Sequence, residues 1–303
     1  MKSLGLLVLL GFIWGTGYSI ARFAMTHGVP PLGYSFWQSL GPAIIIGLIV
    51  LMRPGDKHTA LSVSHTRYYL ICGLTGIVIP NTSMYFAAAH LPAGILAIIV
   101  NTVPIMAYPM ALLMKLEKFN KLRLSGIILA LIGLMLIILP KSSLPSPTLV
   151  PWVLATLITP FSFAACSIYI ARYRPAHSDS LSLSAGMLIF SSLMLIPMVI
   201  FTNSFYNFHI PLTMPDWVIL LEIILSSIGY VLFFQLIKIA GPVYYSLVDT
   251  IVVITGVLWG YILFNERLNI WTSLAVVCII IALLIVTQQQ RLSYKKINGT
   301  SPK

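Results

Sequence analysis

Two stretches of this chain read almost as one sentence written twice: YFAAAHLPAGILAIIVNTVPI (Tyr85–Ile105) and FFQLIKIAGPVYYSLVDTIVV (Phe233–Val253), offset by 148 positions. Two further pairs keep nearly the same offset. YSIARF (Tyr18–Phe23) matches IYIARY (Ile168–Tyr173) in its Ile-Ala-Arg-aromatic core, and LEKFN (Leu116–Asn120) lies over NERLN (Asn265–Asn269). Agreement at three places on one offset marks an internal duplication, which fixes architecture before any single motif does. Each copy holds five apolar runs of membrane-spanning length. An odd number of crossings makes the second copy enter the membrane from the side opposite to the first. Inverted repeats of this kind are a transporter architecture, because two similar halves can exchange roles in opening to either side.

Composition agrees with a membrane protein. Of 303 residues 58% are apolar and 8% charged, with a mean hydropathy of +0.96; soluble domains carry roughly 25% charged residues. Ten apolar runs, at about 4–24, 33–52, 68–89, 92–114, 122–140, 150–171, 181–201, 216–238, 243–264 and 269–287, each approach the length that crosses about 30 Å of hydrocarbon as a helix. The expected fold is therefore all-α, with ten transmembrane helices in two inverted five-helix repeats. The first repeat covers 4–140, the second 150–287, and 288–303 form a tail. The opening MKSLGLLVLLGFIWG reads as the first span rather than a cleaved signal, since no small-residue cleavage pattern closes it.

The formal charge of +11 reflects topology, not nucleic-acid binding. With the amino terminus inside, fifteen basic residues fall in inner segments, among them Arg53, Lys57, Arg67, Lys115, Lys118, Lys121, Arg123, Arg172 and Arg174. Only Arg22, Lys141 and Arg267 fall outside. That bias places both termini in the cytoplasm of a plasma membrane, the inner membrane in a bacterium. Cys72, Cys166 and Cys278 stand singly in apolar runs and read as packing residues. No metal or cofactor is expected.

Asp249 sits in an apolar run where a charge costs at least about 2.5–3.5 kcal/mol on insertion scales, so it needs a partner, a proton or water. The duplication sets it opposite Asn101, and threonine follows each (Thr250, Thr102). Glu222, seven residues beyond Pro215, reaches a similar depth from the other face. At helical spacing Asp249 shares a face with Tyr245, Gly256 and Gly260; Asn101 with Ala97, Pro104 and Tyr108; Glu222 with Ser226, Gly229 and Phe233. In the first helix the stripe is Gly11, Gly15, Tyr18 and Arg22, with Trp14 beside it. Small residues let helices approach closely, and aromatic residues with a polar tip suit a wet cavity. Helix packing is the plainer reading of the glycines, and hydrogen-bond glue of Gln38 and Asn81. Glu117 and Glu266 read as fixing helix ends.

In Trp14-Gly15, in Pro104 followed by Glu117, and in Asn265-Glu266-Arg267-Leu268, the chain resembles the EamA type of the drug/metabolite transporter superfamily over about 4–287. It departs at Ala164-Ala165, where the first half has Trp14-Gly15, and at Val252 opposite Pro104. The resemblance implies a cavity built mainly by helices 1, 3, 4, 6, 8 and 9. Trp14, Tyr18, Asn81, Tyr85, Asn101, Tyr108, Ser162, Tyr169, Tyr230 and Tyr245 are then candidates for substrate contact. Asp249 and Glu222 are candidates for coupling or charge pairing, and Arg22 and Arg172 for gates. It also implies a secondary transporter exporting an amino acid, a related zwitterion or cation, or an amphipathic drug; from their own placement, Asp249 and Glu222 would either neutralise a charged substrate or carry a coupling proton. Uptake or exchange of a metabolite resembling S-adenosylmethionine is the alternative. Expected partners are the small-molecule substrate and membrane lipid; oligomeric state is not legible.

An intramembrane enzyme or a receptor is the rival class. The sequence holds no HExxH and no GxSxG, and neither class has a use for two opposed halves. It also holds no Walker A motif, so ATP is not the direct energy source within this chain.

Overall fold

The computed structural model describes residues 2–52, 63–140, 143–175, 179–240 and 247–298. All regular structure among them is helical. In chain order the elements are α1 (Lys2–Thr26), α2 (Pro31–Met52), α3 (Val63–Gly73), α4 (Ile79–Ala88), α5 (Ala93–Val100), α6 (Val103–Leu113), α7 (Lys121–Ile138), α8 (Val150–Thr156), α9 (Ile158–Tyr173), α10 (Ser180–Phe201), α11 (Met214–Ala240), α12 (Val248–Phe264) and α13 (Ile270–Asn298). Several join end to end. Among the described residues 8 helical stretches are long and apolar enough to cross a membrane, including His65–Ala88, Ala93–Leu113 and Pro147–Tyr173. Val248–Phe264 and Ile270–Val286 are shorter apolar helices in the region of the last two expected spans.

Three spans are interrupted, and prolines explain where. A proline lacks the N–H that would bond four residues back, so it frees a carbonyl and bends the helix. Before Pro80 the chain widens into a π-turn over Leu74–Val78. Before Pro104 the helix stops at Asn101 and Thr102, whose ψ values are 12° and 9°. Before Pro160 it breaks at Leu157. In lipid a freed carbonyl needs a protein donor, and at these breaks side chains donate to carbonyls within or beside the interruption. Ser162 Oγ donates to the Thr75 carbonyl at 2.7 Å and Thr159 Oγ1 to that of Pro80 at 3.0 Å. Asn101 Nδ2 donates to Ala97 O at 2.7 Å, and Thr102 Oγ1 to Ile99 O at 2.7 Å.

The two halves are interleaved. In the first, α1 packs on α11 and α12 of the second; correspondingly α9 packs on α4 and α6. Two further contacts join equivalent helices, α2 on α10 and α7 on α13. This reciprocity is what a pseudo-twofold relation between the repeats requires.

Glycines line two close crossings between the halves, α1 with α12 and α12 with α5. A Cβ placed on Gly11 would lie 2.6 Å from Ile251 Cβ, one on Gly15 2.6 Å from Thr255 Cβ, and one on Gly256 2.4 Å from Ala97 Cβ. The glycine stripe of the first helix is thus a helix–helix seam. Nothing lies within 4 Å of a Cβ at Gly47. Gly15→Ala should therefore overpack the seam and cost about 1–3 kcal/mol, lowering the melting temperature of the detergent-purified protein, while Gly47→Ala leaves it nearly unchanged.

Candidate functional site

The buried polar side chains gather where α1, α2, α4, α5 and α11 meet. Glu222 on α11 is 8% exposed and lies against α1, its Oε1 3.2 Å from where a Cβ on Gly17 would stand. That oxygen accepts hydrogen bonds from Gln38 Nε2 and Ser226 Oγ, each at 3.0 Å, and Gln38 Nε2 also reaches Ser226 Oγ at 2.6 Å. Gln38 comes from α2, so the network ties α2 to α11 through one carboxylate that also lies against α1. Its other oxygen, Oε2, is buried without a hydrogen-bond partner. Tyr34, Tyr85 and Tyr230 lie close enough to feel the Glu222 charge. Tyr34 and Tyr85 meet edge to face, their ring centres 4.6 Å apart.

A second focus lies at the break in the α5–α6 span. There Asn101 Nδ2 donates to the Tyr18 hydroxyl at 3.1 Å, and Tyr18 lies within electrostatic reach of Asp249. Asp249 stands in the first turn of the described part of α12, partly accessible, with no hydrogen bond or ion pair to any described residue. Tyr18, Asn101 and Asp249 are thus brought together from α1, the α5–α6 break and α12. Trp14 lies over Gly229 and beside Phe233, the rings 5.9 Å apart. Asn81 and Tyr85 are buried one turn apart on α4.

Other expected site residues stand elsewhere. The Tyr108 hydroxyl accepts from Asn120 N at 2.7 Å and donates to Lys118 O at 3.3 Å, while its ring lies under the Arg123 guanidinium at 5.0 Å. It clasps the α6–α7 connection at the end of the bundle, because the helix runs past the break before Tyr108 is reached. Ser162 is committed to the Thr75 carbonyl. Tyr169 stacks with Tyr68 and Tyr173 at the far end of α9. Tyr245 falls outside the described residues. Tyr34 was not among the expected site residues and Gln38 was read only as glue; their i, i+4 spacing on α2 is the signal that pairs them.

The paired arginines differ sharply. Arg22 Nε lies 3.2 Å from Glu266 Oε1, and its Nη1 donates to the Leu91 carbonyl. Glu266 also caps α5, accepting from Ala93 N at 2.8 Å and Gly94 N at 3.0 Å. Carboxylates are stabilised at helix N-termini by unpaired amides and the helix dipole. Gly260 leaves room for the cap: a Cβ there would lie 2.4 Å from Glu266 Oε2. At the opposite end Arg172 is exposed over Tyr173, and Glu117, the repeat mate of Glu266, pairs with buried Arg123 instead.

An interleaved, twofold-repeated helical bundle with broken spans around buried acids defines an integral membrane protein of the two-repeat kind. The profile of the EamA-like transporter family matches residues 1–139 and again 150–288, and the chain belongs to that family. It is 25% identical over 289 residues to Protein PecM of Dickeya dadantii (strain 3937), covering 94% of this chain and 92% of PecM. A crystal structure superposes with a TM-score of 0.64 at 15% identity, covering 96% of this chain and 98% of that one, which speaks for the fold alone.

The capping geometry makes Glu266 the more important member of its ion pair. Glu266→Ala leaves two amides and a guanidinium without their acceptor, and an unmet buried group costs about 1–3 kcal/mol. Arg22→Ala leaves the carboxylate held by both amides. Thermal unfolding in detergent should give Glu266→Ala the larger fall in melting temperature; an equal or larger fall for Arg22→Ala would contradict the capping account.

Proposed function

We propose that this chain is a secondary transporter that exports a small metabolite across the plasma membrane, the inner membrane of a bacterium, by alternating access between its two repeats. Members of its family are transporters rather than enzymes, and the chemistry here is binding and release. The observation that carries the reading is the asymmetry of the two ends. Arg22 is latched to Glu266 and to α5, whereas its mate Arg172 is exposed and Glu117 is engaged elsewhere. A pseudo-symmetric bundle whose matched ends are paired differently is what one of the two states of alternating access would present, which supports the reading. The distribution of basic residues argues for cytoplasmic termini, which makes the Arg22–Glu266 latch the outer one and the captured conformation closed to the outside.

The substrate would be bound between the latches, at Tyr18, Asn101, Asp249 and the Glu222 network. Trp14, Tyr85 and Tyr230 supply its aromatic boundary, and Arg22 and Arg172 act as outer and inner gate residues. Asp249 suits proton coupling because it holds no fixed partner among the described residues and remains partly accessible, so it is available to a proton or to substrate in turn.

Flux into proteoliposomes tests the reading, using amino acids, S-adenosylmethionine and cationic dyes with and without an imposed pH gradient. Saturable, gradient-sensitive flux is expected for the wild type. Asp249→Asn should reduce it at least tenfold while the protein stays monodisperse. Gradient-insensitive flux retained by Asp249→Asn would remove proton coupling, and absence of flux across the panel would overturn the transporter reading for these substrate classes.

A further inference from the structure

The Glu222 network lacks something on one side. Its Oε1 is saturated by Gln38 and Ser226, yet Oε2 is buried with no partner, and so is the hydroxyl of Tyr34, which is 1% exposed. Buried polar atoms are rarely left so, and a carboxylate oxygen bonds most strongly to a donor that carries positive charge. The rings of Tyr34 and Tyr85 meet edge to face beside it, with Tyr230 also near. Aromatic faces attract ammonium groups by their quadrupole, most strongly where water is excluded.

The charge count points the same way. Two acids, Glu222 and Asp249, lie within the bundle. Arg22 is held at one end by Glu266, Arg123 at the other by Glu117, and Arg172 is exposed. Lys238 follows Glu222 by sixteen positions on the same helix, roughly 24 Å along its axis. A zwitterion's carboxylate would therefore meet two like charges and, among the described side chains, no free base beside them, whereas a cation meets complementary charge.

From the orphaned Glu222 oxygen, the tyrosines around it and the excess of acid over base, we infer that the site takes an organic ammonium ion, its nitrogen on Glu222 Oε2 and against the Tyr34–Tyr85 pair. The inference rests on the transport reading and sharpens it from small metabolites in general to cations in particular.

A series matched in ring and chain tests it: phenethylammonium, the zwitterion phenylalanine and the anion phenylpropanoate, each measured by equilibrium binding to detergent-purified protein. Phenethylammonium should bind at least tenfold more tightly than either of the others. Glu222→Gln should weaken it at least tenfold, and Tyr34→Phe, which removes only the hydroxyl, several-fold. Stronger binding of the zwitterion or anion, equal binding of all three, or binding by none overturns the inference. So does full cation affinity in a folded Glu222→Gln protein; should that variant misfold, the wild-type selectivity decides. Transport of non-cationic compounds in the liposome panel, with no cation binding here, would sink this inference alone and leave the transporter reading standing.

Discussion

Inside hydrocarbon a peptide group has no water to turn to, so every carbonyl freed by a bend must be met by the protein itself. That constraint organises this bundle. The bends at Asn101–Thr102, at Leu157 and around Leu74–Val78 all come before prolines, and the first of them is buried among other helices. Hydroxyl and amide side chains from Ser162, Thr159, Asn101 and Thr102 occupy carbonyls nearby. The polar residues that make the bends tolerable are thereby drawn to the middle of the protein. Asn101 does both jobs, steadying the break through the Ala97 carbonyl and reaching Tyr18 with the same nitrogen.

Interleaving of the repeats follows from the close crossing of α1 and α12. Glycines at Gly11, Gly15 and Gly256 bring the two backbones near enough that Tyr18 and Asp249 come within each other's field. The termination of α12 sets Gly260 beside Glu266, and its lack of a side chain lets that carboxylate turn back onto the amides of α5. The αL conformation of Asn265, with φ of 52°, ends α12 and directs Glu266 there.

The duplicated stretches made the two-repeat layout legible, and with it the equivalence of Asn101 and Asp249, because both depend only on order along the chain. Depth was legible too: Glu222, Asp249 and Asn101 can be read as mid-span by counting from prolines. Less accessible was which faces meet. Periodicity puts Gly11, Gly15 and Tyr18 on one stripe, yet the first two are spent on packing while the tyrosine hydroxyl meets Asn101. Tyr108 shares a face with Asn101 in projection, but the break and the added turns carry it to the loop end, where Asn120 and Lys118 take its hydroxyl. Tyr34 and Gln38 draw their significance from Glu222, some 184 positions from Gln38 along the chain. No local pattern announces a contact of that separation.

The Gly15–Thr255 and Gly256–Ala97 contacts also bear on how the two copies can change over generations. A duplicated segment ordinarily frees one copy to vary while the other keeps its task. Here each copy supplies the hollow into which the other's side chain fits, so enlarging a residue on one side calls for a matching reduction in its contact partner in the other half. At this seam the halves are bound to vary in step, however far they diverge on the surfaces that face lipid.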